Sequence, residues 1–203
     1  MDMPFDIELI AMGASAGGVE ALGVVLAALP ADFSPTVVVV LHIPPDRASM
    51  LAQLYQARCA LPVKEAEDKE GLARGTVYFA PPDYHLLIEP DKSFALSSEP
   101  PVNYSRPAID LTFESAAAAF GEKMLGIILT GASADGAEGL CAVRQAGGRA
   151  WVQDPASARS PTMPAAALDR CGADKVMDLG ALAFSMAQIG PDKNKHSGSL
   201  SRV

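Results

Sequence analysis

Two distant segments of this chain carry nearly the same glycine-rich turn, and that repetition narrows the possible folds more than any other feature. GASAGGVEAL, starting at Gly13, and GASADGAEGL, starting at Gly131, agree at seven of ten positions. Each follows an apolar run, Ile7 to Met12 and Leu125 to Thr130, and each precedes a segment of helical character. Glycine lets a buried strand turn abruptly into a helix. Strand-turn-helix units at both ends of a chain indicate an α/β domain with a mainly parallel sheet. The repeat is either a duplicated half-domain or two separate solutions of one tight turn.

Other segments fit the same scheme. Thr36 to Leu41 (TVVVVL) is apolar and β-branched, as a central parallel strand covered on both faces requires, and it runs straight into His42. Val19, Leu22, Leu26 and Leu29 share one helical face, and Met50, Leu51, Leu54 and Tyr55 mark a helix over Ala48 to Cys59. Further helices are expected at Ala108 to Phe120, Gly136 to Ala146, Ala165 to Cys171 and Leu179 to Ile189, with a strand at Arg149 to Gln153. The middle differs. Pro62 to Ala66, Thr76 to Ala80, His85 to Glu89 and Ser93 to Ser97 are short strands between charged or proline-rich turns, which predicts inserted hairpins there rather than βα units. Residues 1–189 therefore read as one domain, and 190–203 (GPDKNKHSGSLSRV) as a disordered tail.

Charge and cysteine usage exclude several function classes. With 16 basic and 24 acidic residues among 203, the net charge of −8 disfavours nucleic acid and anionic lipid as partners. Cys59, Cys141 and Cys171 are odd in number and widely spaced, so neither a disulfide framework nor a zinc site is indicated. His42 and His85 are also far apart, and no metal or cofactor is expected. Asp2, Asp6 and Glu8 stand where a signal peptide would be basic, and the apolar run from Val37 to Ile43 is too short to span a bilayer. A cytoplasmic protein without membrane insertion is the expectation.

Residues 13–17 fit G-x-S-x-G between a strand and a helix, where a serine oxygen is exposed beside free helix N–H groups. Ser15 is then a candidate nucleophile, although a serine there can also simply cap the helix. The second turn has Asp135 where the first has Gly17, so Ser133 fails the motif. Asp135 can instead orient a histidine by accepting its Nδ1–H, or serve only its own helix N-terminus. Of the three histidines, His42 alone directly follows a central strand, whereas His85 lies in the middle region and His196 in the tail. These observations nominate Ser15 as nucleophile, His42 as general base and Asp135 as its orienting partner. The order Ser, His, Asp differs from that of α/β-hydrolases. A dinucleotide-binding oxidoreductase is a weaker alternative, because GASAGG lacks G-x-G-x-x-G and the second strand ends in His42 rather than an acid.

Longer motifs carry a family resemblance. IAMGASAGGVEAL, VVVVLHIPP, VKEAEDKEGLARGTVYFAPPDYHLLIE, EPPVNYSRPAIDLTFESAA, GIILTGASADGAEGL and AGGRAWVQDPASA, in this order, resemble the catalytic domain of the CheB-type protein-glutamate methylesterases of bacterial chemotaxis. The resemblance implies a doubly wound, three-layer α/β/α fold with an inserted β-hairpin. It also implies hydrolysis of glutamyl methyl esters on methyl-accepting chemotaxis receptors, with deamidation of receptor glutamines, through Ser15, His42 and Asp135. Backbone N–H groups of Ala16 and Ala132 would form the oxyanion hole, and Asn103 and Arg106 would border the substrate cleft. The family's usual Thr after the serine is Ala16 here, and its usual G-M-G-N-D-G is GASADG, with Ala132 for Met. Those departures keep a catalytically weakened scaffold of the same fold as an alternative. Such enzymes usually carry an N-terminal receiver domain; here the catalytic motifs begin within the first dozen residues, so a separate receiver or methyltransferase module is the expected regulatory partner.

Overall fold

The structure, a computed structural model, describes residues 6–42 and 50–190. Among the described residues seven parallel strands form the central sheet in the order β3-β4-β2-β1-β7-β8-β9. They are β1 (Leu9–Ala14), β2 (Thr36–Leu41), β3 (Val63–Glu65), β4 (Val77–Phe79), β7 (Met124–Ile128), β8 (Arg149–Gln153) and β9 (Lys175–Met177). Among the described residues six helices accompany them: α1 (Gly18–Ala27), α2 (Leu51–Gln56), α3 (Ile109–Phe120), α4 (Ala137–Gln145), α5 (Thr162–Cys171) and α6 (Leu179–Ala187). The apolar run of β2 explains the layering. Val37, Val39 and Leu41 enter one core with residues of α1, α2 and α6, while Val38 and Val40 enter a second core with α3, α4 and α5. The result is the doubly wound, three-layer α/β/α architecture.

The chain winds from β1 to β2, passes to the edge strand β3, comes back to β4 between β3 and β2, and then crosses to β7 on the other side of β1. This reversal opens a crevice at the carboxyl ends of the central strands, where ligands bind in open α/β sheets. Ser15, His42 and Asp135 all follow strands that end there.

The middle region corrects one expectation. Only β5 (His85–Ile88) and β6 (Phe94–Ser97) pair as a hairpin among the described residues; β3 and β4 join the main sheet in parallel. Three-residue strands are too short for periodicity to tell parallel from antiparallel pairing. What anchors them is tertiary: Tyr55 of α2 stacks on Phe79 at 5.2 Å, and Tyr78 meets Phe94 edge-on at 4.9 Å. Val19 is exposed rather than on the inner face, because α1 begins at Gly18 and buries Ala21, Leu22, Val25 and Leu26. Met50 and Leu54 are likewise exposed, while Leu51 and Tyr55 are buried. The N-terminal part of the helix expected over 48–59, and residues 191–203 of the tail expected over 190–203, lie outside the described residues. β9 was not anticipated, since its largely exposed edge sequence KVM has no apolar alternation.

Glu8 ties the hairpin to the sheet. Its carboxylate accepts from Lys92 Nζ at 2.7 Å and Lys123 Nζ at 2.6 Å. The Lys123 and Lys92 bonds hold it down at about 2 against partial burial. A depressed carboxylate stabilises the fold above its unfolded value and loses that contribution as pH falls through the folded one. In urea melts Glu8→Gln should cost about 1–2 kcal/mol at pH 7 after allowance for solvent screening. The difference from wild type should shrink as pH falls from about 4.5 to about 2.

Candidate active site

Parallel pairing brings Ser15 and His42 together. Ala14 of β1 is in register with Leu41 of β2, so the next residues, Ser15 and His42, leave neighbouring strands at one level, roughly 5 Å apart in backbone spacing. The His42 N–H donates to Ala14 O at 3.1 Å, and the Ser15 N–H to Thr130 O at 3.0 Å. Gly17 then takes a left-handed conformation (φ 80°) and starts α1. A side chain there would be strained and would also meet Arg159 Cβ at 2.9 Å. Ser15 is half-buried, and its Oγ makes no hydrogen bond among the described residues. The competing Ser133 has a buried Oγ, also unpartnered among the described residues.

His42 and Asp135 meet directly, with Nε2 donating to Oδ2 at 2.8 Å. This corrects the expected use of Nδ1. β1 lies between β2 and the strand preceding Asp135, so the carboxylate is about two strand spacings away, about 10 Å of backbone, and only the far ring nitrogen reaches it. The other ring nitrogen, Nδ1, lies 3.4 Å from Ser105 Oγ.

Asp135 is 1% exposed and is held by the first turn of α3. Ile109 N–H donates to its Oδ2 at 2.7 Å and Asp110 N–H to its Oδ1 at 3.2 Å. In return, Asp110 Oδ1 accepts the Gly136 and Gly139 N–H groups of α4 at 2.9 and 2.7 Å. Each helix N-terminus is thus capped by a carboxylate associated with the other. Burial pushes Asp135 up, but the bonds from His42, Ile109 and Asp110 outweigh it and hold the group below the ordinary carboxylate range. Asp110 moves the other way, to about 6: burial dominates, and the adjacent Asp135 adds to it against the two α4 N–H bonds.

Ala16 and Ala132 lie in exposed positions on the two turns, and their N–H groups have no acceptor among the described residues. Asn103, in a left-handed conformation at φ 51°, donates from Nδ2 to Asp110 Oδ2 at 3.0 Å. Arg106 is committed elsewhere, to Asp83 Oδ1 and the carbonyls of Ser98 and Glu99. Its guanidinium shapes the loop after the hairpin. His85, fully buried, holds the loop's two ends, with Nε2 to Pro100 O at 3.1 Å and Nδ1 accepting the Ala108 N–H at 3.2 Å. Sequence reading missed Asp110, Ser105 and Thr130. Thr130 Oγ1 donates to Ala16 O at 2.8 Å and accepts from Ser160 N at 2.9 Å, pinning the turn that carries Ser15. An acid in the first turn of the helix after Pro107 was the one visible sign of Asp110.

The two similar turns are not at equivalent heights. Gly13 pairs with Ile128, not with Gly131, and the left-handed glycine opening the helix is Gly17 in one case and Gly136 in the other, which aligns with Gly18. The second turn therefore stands further above the sheet, which brings Asp135 level with the imidazole.

A doubly wound sheet with a serine, a histidine and a buried aspartate at its switch point is the arrangement of an α/β domain for hydrolysis. Comparison with known proteins agrees. The chain matches the CheB methylesterase family over residues 10–186 and belongs to that family. It is 43% identical over 176 residues to a Leptospira interrogans protein named "Putative protein-glutamate methylesterase/protein-glutamine glutaminase", covering 87% of this chain and 91% of that one. A Burkholderia lata protein-glutamate methylesterase/protein-glutamine glutaminase is 41% identical, over 87% of this chain but 49% of its own length. The crystal structure of the Thermotoga maritima CheB methylesterase catalytic domain superposes with a TM-score of 0.86 at 32% identity, covering 91% of this chain and 99% of that one. Among the described residues no helix is long and apolar enough to cross a membrane.

The Asp110 shift sets a stability test. A carboxyl whose folded value is raised stabilises the protein relatively at low pH, and that contribution is lost as pH rises through about 6. Thermal melts should show wild type losing on the order of 2–3 kcal/mol between about pH 4 and pH 7 from this group, and Asp110→Asn should flatten that decline.

Proposed function

We propose that this protein is a cytoplasmic serine esterase that removes methyl groups from glutamate side chains of chemoreceptors and deamidates receptor glutamines. The observation that carries the reading is the His42–Asp135 bond, made at the end of the strand that neighbours and is in register with the one leading into Ser15. Ser15 Oγ attacks the γ-carbonyl of the methylated glutamate while its proton passes to His42 Nδ1. The ionised Asp135 accepts Nε2–H and stabilises the imidazolium that forms. The N–H groups of Ala16 and Ala132 receive the developing oxyanion. Collapse of the tetrahedral adduct expels methanol, which takes the proton from Nδ1; for a glutamine, ammonia leaves instead. Water, deprotonated by the same nitrogen, then attacks the acyl-serine, releasing the glutamate carboxylate and restoring Ser15.

The acidic surface gives no long-range attraction for glutamate-rich receptor helices, so docking or tethering through a separate receiver or methyltransferase module supplies the encounter. Methanol release from a methylated receptor fragment tests the reading. Ser15→Ala and His42→Gln should each lower the rate by at least about 10³-fold while leaving the melting temperature near that of wild type. An active-site serine probe should label Ser15 in wild type and lose that labelling in the Ser15→Ala variant. Methanol release by Ser15→Ala at the wild-type rate would overturn the assignment.

A further inference from the structure

We propose that Asp110 is a positioning residue for the His42–Asp135 pair, and that Asn103 couples the turn facing the imidazole to it. The inference rests on the esterase reading of the site and adds what sets the direction of its Asp–His bond. Oδ2 of Asp135 receives both His42 Nε2–H and Ile109 N–H, so the lone pair offered to the imidazole depends on where the first turn of α3 lies. The Asp110 N–H fixes the other oxygen.

That turn is located by the Asp110 carboxylate, which grips α4 through Gly136 and Gly139. Gly139 permits the approach: a Cβ at this position would lie 2.9 Å from both Asp110 Cα and Asp110 O. Without the carboxylate, two buried N–H groups lose their acceptor, and the α3 donors are no longer held against Asp135.

Asn103 extends the grip outward. Its Nδ2 bonds Asp110 Oδ2, while Val102 and Ser105 exchange backbone bonds of 3.1 and 2.8 Å to form a tight turn. Ser105 at the end of this turn faces His42 Nδ1. The turn over the basic nitrogen and the carboxylate under the far nitrogen therefore share Asp110 as a common anchor.

The test compares Asp110→Ala, Asp110→Asn and Asn103→Ala with wild type by two readouts. One is kcat and KM for methanol release; the other is the downfield proton NMR resonance of His42 Nε2–H, which needs no turnover. Asp110→Ala should lower kcat by about 10–100-fold with KM within about threefold, and should shift or broaden the resonance, as expected for a misplacement on the order of 1 Å. Asp110→Asn keeps an oxygen for Gly136 and Gly139, and Asn103 can turn its amide to meet the new NH2. It should recover kcat to within about fivefold and restore the resonance.

A folded Asp110→Ala with wild-type kcat and an unmoved resonance would overturn the proposal. If Asp110→Ala does not fold, Asn103→Ala decides: a kcat reduced by about 3–10-fold with a shifted resonance upholds the coupling, and no change in either refutes it. Wild type that releases no methanol would refute the esterase reading instead, leaving the resonance to judge Asp110 separately.

Discussion

Two helix N-termini facing each other across a glycine contact create the central physical problem of this structure. Each leaves unsatisfied N–H groups in a site that excludes water, and each adds partial positive charge. Asp110 and Asp135 resolve it by exchange, the acid of one helix accepting the donors of the other. The arrangement also brings two carboxyls close together, and their pKa values separate in consequence, one held low by the imidazole and the other pushed to about 6. Asp135 is held ionised because the His42 bond adds to its two backbone donors.

The remaining architecture delivers groups to that junction. Parallel register sets Ser15 and His42 at one level, and the reversal of winding on either side of β1 opens the crevice above them. Thr130 clamps the Ser15 turn by bonding Ala16 O and Ser160 N. The hairpin contributes through His85, which bridges Pro100 to Ala108 and so fixes both ends of the loop bearing Asn103 and Ser105. Arg106 serves that same loop rather than solvent, through Asp83 and two carbonyls. The inserted hairpin thus anchors the loop whose Ser105 faces the imidazole.

Much of the fold was legible because its determinants are local. β2 falls where its apolar, β-branched run places it, β8 matches the expected Arg149 to Gln153, and α3, α4 and α6 lie within two residues of expectation. Glycine turns after apolar strands announced the βα units at both ends. The errors came where partners decide. β3 and β4 looked like hairpin strands because three residues carry no readable period, and their parallel pairing depends on α2 and the aromatic contacts beneath it. Val19 fits the helical stripe in sequence but faces solvent, since the double glycine before it sets where the helix begins.

The sequence by itself determined the fold class and nominated a serine, a histidine and an aspartate at or beyond the carboxyl ends of central strands. Motif, strand-end position and residue type are all properties of contiguous chain. Only the tertiary structure decided which imidazole nitrogen meets the acid, because that depends on β1 intervening between two strands. Only it revealed Asp110, whose role arises from donors in a helix packed against its own and distant in the chain. It also showed the two similar turns to be out of register, Gly13 lying beside Ile128. Sequence similarity measures local turn chemistry, whereas the height of a turn above the sheet is set by strand pairing.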